Sequence, residues 1–224
     1  MEIGLNSAVC FDLDGVLIDT MPLHAQAWQD ALTTLRLSVL RRDIYEWEGE
    51  SGVVTARTLL SRRGGRPPSR QAIASLLRDK ERRFSRLARH IRVNPRLDRL
   101  LGTLRARGIR LGLVTGTSSR EIRRVVSKRL LSVFTVVISG DQVRHGKPHP
   151  EPYRTAIREL GVPSGKTIVV ENAPYGIRSG RAAGAGLVIA LASSLPSRFL
   201  QEADVIVTSI PKLCRLLEDL TATY

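Results

Sequence analysis

Cysteine, aromatic residues and long apolar runs are scarce in this 224-residue chain. Its two cysteines, Cys10 and Cys214, are too few for a disulfide framework, and no Cys/His spacing typical of a zinc site occurs. No stretch of about 18 residues lacks charged residues and turn formers, so we expect no membrane span. The first apolar run ends in carboxylates and follows no basic leader. We therefore expect no secretory signal and a cytoplasmic location.

Acidic residues are depleted in one segment. The chain has 35 Lys and Arg against 21 Asp and Glu, for a formal net charge of +14, and residues 57–110 hold 17 of the former but only 3 of the latter. Such clustering would suit a phosphate backbone or a funnel for anionic substrates. Only one aromatic residue, Phe84, falls there, so platforms for stacking nucleic-acid bases are missing. We favour a solvated helix face and expect no nucleic-acid partner. It would carry Arg82, Arg83, Arg86 and Arg89, opposite Leu76, Leu77, Phe84 and Leu87.

The order of apolar patterns predicts an α/β fold. Residues 8–13 read as a buried strand, and residues 22–89 have only helical spacing. From residue 94 onward, strands (110–115, 135–139, 167–171, 187–191 and 204–208) alternate with helices near 96–107, 118–130, 150–160, 174–183, 196–202 and 211–220. This alternation predicts a Rossmann-like parallel sheet with helices on both faces. Residues 1–18 and 92–224 would form this core domain, and residues 19–91 an inserted all-helical domain.

Polar side chains follow four of the predicted strands. Asp12 and Asp14 follow the first, Thr115 the second, a loop with Lys147 the third, and the Glu171-Asn172 pair the fourth. In an open parallel sheet, ligands bind outside the carboxyl ends of the strands. Carboxylates, an amide, a hydroxyl and an ammonium group suit a hard cation such as Mg²⁺ together with a phosphoryl group. The sequence therefore predicts a phosphate-handling site at this edge.

These four segments resemble the motifs of the haloacid dehalogenase superfamily, in the expected order. They are FDLDGVLIDT at residues 11–20, VTGTS at 114–118, GKPHPEP at 146–152 and VVENAPYGI at 169–177. The resemblance covers nearly the whole chain, including a helical cap after the first strand. The segment HAQAW at residues 24–28 is similar to the cap entry of the branch that holds β-phosphoglucomutase and phosphoglycolate phosphatase.

The resemblance implies a role for each motif residue. Asp12 would be the nucleophile that forms an aspartyl-phosphate, and Asp14 the general acid/base. Thr115 and Gly116 would bind the phosphoryl group, and Lys147 would neutralise its charge. His24 and Lys80 would contact the substrate from the cap. Mg²⁺ would be held by a set of oxygen ligands comprising Asp12, Asp14, Glu171, Asn172 and Glu48.

Two segments depart from the family pattern. Where the family commonly has paired acids, this chain has Glu171-Asn172, which supplies one charge fewer. In the cap, Glu48 and Gly52 stand where mutases have a lysine and a phosphate-binding arginine. The lost arginine argues against a sugar phosphomutase. Glu48 either reaches a metal-bound water when the cap closes, partly replacing the missing charge, or is a solvated loop residue.

The expected function is a Mg²⁺-dependent phosphatase acting on a small phosphorylated metabolite through an aspartyl-phosphate. A sugar phosphomutase and an inorganic pyrophosphatase of the same fold stay open as alternatives. A scaffold that only binds nucleic acid through its basic cap is a remote third. We expect a monomer or a weak homodimer.

Overall fold

A computed structural model describes residues 6–62, 64, 67–88, 91 and 93–222. The strands are β1 (Ala8–Phe11), β2 (Arg110–Val114), β3 (Val136–Ile138), β4 (Thr167–Glu171), β5 (Leu187–Leu191) and β6 (Val205–Val207). They form one sheet in the order β3-β2-β1-β4-β5-β6, and every adjacent pair is parallel. The predicted fold class is therefore confirmed. Because β1 lies at the centre, the residues that follow it emerge in the middle of the ligand-binding edge.

Both faces of the sheet are covered, which is why its strands are apolar throughout rather than alternating. Val9 and Phe11 point into one apolar cluster, whereas Ala8 and Cys10 point into the other. The first cluster is covered by α5 (Pro95–Ala106), α6 (Ser119–Val125), α7 (Lys128–Leu131) and α10 (Ile210–Thr221). The second is covered by α8 (Glu151–Leu160) and α9 (Pro174–Ala182).

Two predicted helices of the core were wrong in extent. The single helix expected over residues 118–130 is divided into α6 and α7, because Val126 is extended and the Ser127 hydroxyl accepts the N–H of Leu130 at 3.2 Å to begin a new helix. The helix expected over residues 196–202 is only a 3₁₀ turn at Ser197–Phe199. Neither difference displaces a predicted site residue.

Among the described residues, four helices lie between β1 and α5 along the chain. They are α1 (Met21–Thr33), α2 (Arg41–Glu46), α3 (Gly52–Ser61) and α4 (Arg70–Leu87), called the inserted helices below. Their amphipathic faces bury a cluster of their own, which includes Trp28, Leu59 and Leu76. No strand occurs in the described part of residues 19–91, as the helical spacing predicted.

Helix α4 carries much of the basic segment. Arg82 and Arg86 are exposed and Arg83 is partly exposed, whereas Leu76 and Phe84 are buried, as predicted for a solvated face. Leu87 was wrongly placed on the apolar side, since it is 42% exposed in the last turn of the helix. Arg89 lies outside the described residues. In the part of the chain that the structure describes, no helix combines the length and apolarity needed to cross a bilayer.

Candidate active site

A buried lysine links two of the predicted carboxylates. Lys147 Nζ lies 2.6 Å from Asp12 Oδ1 and 2.6 Å from Glu171 Oε1, and it donates a third bond to the Val114 carbonyl at 3.0 Å. The three groups belong to the carboxyl ends of β1, β4 and β2. The ammonium thus has its three donors satisfied inside the protein. Burial lowers its pKa, but the contacts with Asp12 and Glu171 outweigh this and hold the pKa of Lys147 above its usual value.

Glu171 is held in place from several sides. Tyr153 of α8 donates its hydroxyl to Glu171 Oε1 at 2.6 Å, and the Asn172 N–H reaches Glu171 Oε2 at 3.1 Å. A Cβ atom at Gly176 would lie 2.0 Å from the Glu171 carboxylate, so α9 approaches this closely only because residue 176 is glycine. Both oxygens of Glu171 therefore have partners within the protein.

Asp14 accepts a different set of donors. Its Oδ1 accepts a hydrogen bond from the Thr20 hydroxyl and contacts His24 Nε2 at 3.1 Å. Its Oδ2 accepts the hydroxyl protons of Thr117 at 2.7 Å and of Thr115 at 3.3 Å. Burial alone would raise the pKa of Asp14, but His24 and the hydroxyls of Thr20 and Thr117 lower it below the usual range of a carboxyl group. These contacts favour the ionised form of Asp14.

His24 connects α1 to the strand edge. Its ring stacks on Phe84 of α4 with ring centroids 3.9 Å apart, while Nε2 contacts Asp14. His24, which was predicted to contact substrate, thus contacts Asp14, the candidate acid/base. Lys80, also predicted to contact substrate, is buried beside Glu121 of α6, with Nζ 3.5 Å from Glu121 Oε1.

Two buried side-chain oxygens in the described residues have no hydrogen-bond partner. They are Asp12 Oδ2 and Asn172 Oδ1. Buried polar atoms are almost always satisfied, so two oxygens without partners at adjacent strand ends form a donor set suited to a candidate cation site. Gly15 makes room here, because a Cβ atom at this position would lie 2.2 Å from Asn172 Nδ2 and its φ is +85°. Burial, opposed by Lys147 and reinforced by Glu171 and Asp14, raises the pKa of Asp12 to about 8. A cation beside Oδ2 would restore the ionised form.

A loop of the inserted segment lies directly over these groups. A Cβ atom at Gly49, whose φ is +82°, would lie 2.4 Å from Cδ of Lys147, and one at Gly116 would lie 3.0 Å from the Gly49 carbonyl carbon. The neighbouring Glu48 lies near Asp14 and Asp12. Burial, followed by these two carboxylates, raises the pKa of Glu48 well above its usual value.

A cavity of about 260 Å³ lies between this loop, helices α1 and α4, and the strand edge. Gly116 and Thr117 line it at the strand edge, and His24, Lys80 and Glu48 line its walls. The structure thus gathers Asp12, Asp14, Thr115, Lys147, Glu171 and Asn172 at one edge of the sheet, with Gly116, His24, Glu48 and Lys80 around the adjoining cavity.

Several residues of the site were missed from the sequence. Thr20 and Thr117 lie inside the quoted motifs, but nothing in their spacing distinguished them from ordinary turn and capping residues. Tyr153 could have been found, because its place six residues after Lys147 on α8 returns it to the same strand edge. Glu151 was overlooked too. Its carboxylate accepts the N–H groups of Arg144 at 2.8 Å and His145 at 3.1 Å, which holds the loop that carries Lys147.

Comparison with known proteins agrees with this arrangement. Residues 7–184 match the family described as haloacid dehalogenase-like hydrolase. The phosphorylated carbohydrates phosphatase of Thermotoga maritima is 29% identical over 210 residues, 92% of this chain and 94% of that protein. The phosphoglycolate phosphatase of Salmonella typhimurium is 31% identical over 195 residues, 79% and 77% of the two chains. β-Phosphoglucomutase from Clostridium difficile superposes with a TM-score of 0.84 at 20% identity over 98% and 99% of the chains, a likeness of fold.

The fold and the strand-edge groups define a hydrolase of the α/β class. The chain belongs to the haloacid dehalogenase-like hydrolases, as the four motifs predicted. The predicted enzyme class, a phosphatase of this family, is supported by the names of its relatives.

Proposed function

We propose that the protein is a Mg²⁺-dependent phosphatase that hydrolyses a small phosphate monoester through an aspartyl-phosphate on Asp12. The observation that carries the proposal is the meeting of Asp12, Asp14, Thr115 and Lys147 at one strand edge beside the cavity. Phosphoryl transfer depends chiefly on positioning and charge stabilisation, and these residues supply a nucleophile, an acid/base, a hydroxyl donor and a fixed cation.

The reaction takes two displacements on phosphorus. In the first, a carboxylate oxygen of Asp12 bonds to phosphorus as the bond to the alcohol oxygen breaks, and Asp14 gives that oxygen a proton. In the second, water attacks the aspartyl-phosphate while Asp14 takes its proton, which releases phosphate and restores the Asp12 carboxylate. Dividing one displacement into two easier ones is the usual gain of covalent catalysis.

The hydrogen bonds of Asp14 explain how one group can serve both steps. Without substrate, Thr115 and Thr117 donate to Asp14 and favour its ionised form. A phosphoryl group bound beside them competes for the same hydroxyl protons. When the threonines turn to phosphate, Asp14 loses two donors and its pKa rises, which favours the protonated form that the first step needs.

The donor set fits Mg²⁺. Asp12 Oδ2 and Asn172 Oδ1 are the orphaned oxygens, and both are the hard ligands that this ion prefers. Of the predicted ligands, Glu48 is the further acid that we assign to this site. Glu171 and Asp14 were also predicted as ligands, but their side-chain oxygens already accept other donors, so we assign Glu171 to positioning Lys147 and Asp14 to proton transfer. When bound, Mg²⁺ would offset charge on the phosphoryl oxygens.

We further propose that the inserted helices act as a cap with boundaries near residues 19 and 91. The contacts of Gly49 with Lys147 and Gly116 describe a closed arrangement, in which bulk water is kept from the strand edge. Because the loop lies over the strand edge, we expect it to move away when substrate enters. Such opening is common in lidded enzymes.

The decisive experiment measures phosphate release from p-nitrophenyl phosphate and from a panel of phosphorylated metabolites, with Mg²⁺ and with EDTA. Asp12→Asn preserves the size of the side chain but removes the nucleophile, and we expect turnover to fall at least about 10³-fold. Equal release by wild type and variant, or equal release with EDTA, would contradict the proposal.

The same assay separates the two alternatives. A sugar phosphomutase would isomerise a sugar phosphate after bisphosphate priming with little free phosphate. An inorganic pyrophosphatase would release two phosphates from pyrophosphate in preference to every monoester in the panel.

A further inference from the structure

We infer that the substrate is a phosphate monoester whose alcohol part carries no second anionic group; this inference rests on the phosphatase function proposed above. It comes from the charges that face the cavity. Five lining residues carry a carboxyl group, whereas Lys80 is the sole Lys or Arg among the described residues that line it. The acids are Glu48, Glu50, Glu81, Glu121 and Asp141. The wall of this cavity is thus acidic, although the chain as a whole has a net charge of +14.

The single cation is already paired. Lys80 Nζ lies 3.5 Å from Glu121 Oε1, and both side chains are buried. An ammonium group has three donors, so a substrate anion at Lys80 would share that group with Glu121 rather than replace it. The ammonium also lies 4.9 Å from the Phe84 ring centroid and 5.8 Å from that of Trp28. The Lys80–Glu121 pair therefore gives the wall no net positive charge that could hold a second phosphate or a carboxylate.

The other acids have no cation that could be shared with a ligand. Glu50 accepts the Ser51 N–H at 2.9 Å, and Asp141 accepts the hydroxyl protons of Ser119 and Ser139. Glu81 lies close to Glu121, and burial followed by that neighbour raises its pKa, whereas Arg120 and Arg124 lie near it but do not line the cavity. Gly52, which also lines the cavity, supplies no charge.

What the walls offer instead is apolar surface and hydrogen-bond acceptors. Trp28, Ile44, Trp47, Val53 and Leu77 supply the apolar part. Carboxylates accept from hydroxyl and ammonium groups, so a polyol or an amino alcohol matches this lining. A phosphoryl group still finds its partners at the other end, beside Thr117 and Gly116. The wall therefore disfavours a second anion on the substrate, and such mismatched charge is an effective way to reject a wrong ligand.

The test compares substrates matched in length. Phosphoethanolamine and phosphoglycolate differ at the far end by an ammonium against a carboxylate, and glycerol 1-phosphate and 3-phosphoglycerate by a hydroxymethyl against a carboxylate. We expect kcat/KM to be at least about tenfold higher for the first member of each pair, as one unfavourable charge contact in a buried site produces. Pyrophosphate and glucose 1,6-bisphosphate should be poor substrates. Equal or higher kcat/KM for phosphoglycolate, or a preference for pyrophosphate, would overturn the inference.

Two variants test whether the charge of the cavity wall causes the substrate preference. Glu121→Gln releases Lys80 while keeping a side chain suited to the helix start, and it should raise kcat/KM for phosphoglycolate severalfold relative to phosphoethanolamine. Glu81→Gln should move the ratio in the same direction while both members of the Lys80–Glu121 pair stay in place, which guards against a folding defect in the first variant. Glu159→Gln, an exposed change on α8, should leave the ratio unchanged. If neither cavity variant changes the ratio of kcat/KM for phosphoglycolate to that for phosphoethanolamine, the inference is contradicted.

The failure of the inference and that of the phosphatase function are distinguishable. If p-nitrophenyl phosphate and every other phosphate resist hydrolysis, the proposed function is wrong. If p-nitrophenyl phosphate is hydrolysed but the matched pairs show no preference, only the substrate class is wrong.

Discussion

Gly49 of the inserted loop lies so close to Lys147 that a Cβ atom on the glycine would come within 2.4 Å of the lysine Cδ. The contact joins the proposed cap to the residue that binds both Asp12 and Glu171. The position of the loop and the position of the Lys147 ammonium therefore depend on each other through this contact. A side chain at residue 49 cannot be accommodated without moving either the loop or Lys147.

Gly49→Ala should accordingly reduce kcat at least about tenfold, because loop closure and Lys147 positioning are both disturbed. Gly64→Ala is a matched control, since Gly64 also has a positive φ, +73°, but a Cβ atom there would meet nothing within 4 Å. Gly64→Ala should lose about 1 kcal/mol of stability from backbone strain, and Gly49→Ala should lose more because the clash with Lys147 adds to the same strain. Steady-state kinetics and urea unfolding separate the two effects. Equal kcat for the two variants would show that the contact does not matter to catalysis.

Tyr153→Phe tests the support of Glu171. The variant loses the hydroxyl at 2.6 Å from Glu171 Oε1 but keeps the ring, whose centroid lies 5.1 Å from Lys147 Nζ. A buried carboxylate that loses a donor should cost about 1–3 kcal/mol of folding free energy. We also expect a lower kcat with little change in KM, because Glu171 orients Lys147 rather than binding substrate. Tyr175→Phe is the control. A stability loss without any change in kcat would show that Tyr153 stabilises the fold but does not contribute to catalysis through Glu171.

Glu48→Gln tests the predicted compensation for Asn172. If Glu48 supplies charge to the metal site, the Mg²⁺ concentration for half-maximal activity should rise about tenfold or more, since each carboxylate adds to cation affinity. Glu50→Gln, two residues away on the same loop, should leave it unchanged, because the Glu50 carboxylate accepts its neighbouring Ser51 N–H. Direct Mg²⁺ titration by calorimetry provides a second reading. An unchanged Mg²⁺ requirement and rate would make Glu48 an ordinary loop acid.

Much of the fold was predictable because its signals are local. Continuous apolar runs at β1, β4 and β5 mark strands buried on both faces, and the residues following them must emerge at one edge. That rule alone brought Asp12, Thr115, Lys147 and Glu171 together. The division of residues 118–130 was missed because the helical spacing continues across Ser127. The capping hydrogen bond at Ser127, with which the second helix begins, has only a weak sequence signal.

The partners within the site were harder to predict. The resemblance placed Glu171 at the metal, whereas Lys147 and Tyr153 both donate to its Oε1, an arrangement set by helix α8 crossing the same edge. The pairing of Lys80 with Glu121 joins residues 41 positions apart through the docking of α4 on α6. Contacts of this kind depend on how whole elements pack, and no local pattern encodes them.

Asp141→Asn should weaken the fold in a pH-dependent way. Asp141 accepts the Ser119 N–H at 2.8 Å and hydroxyl protons from Ser119 and Ser139, and these bonds outweigh burial and lower its pKa. A carboxyl group with a lowered folded pKa stabilises the protein above its unfolded pKa of about 3.9, and this stabilisation is lost as the pH falls through the folded value. The wild type should therefore exceed the variant by at most about 1 kcal/mol near pH 7, because the site is largely exposed. Urea midpoints between pH 7 and pH 3 should converge at the acid end. A gap that stays constant or widens toward acid would mean that the charge of Asp141 does not stabilise this turn.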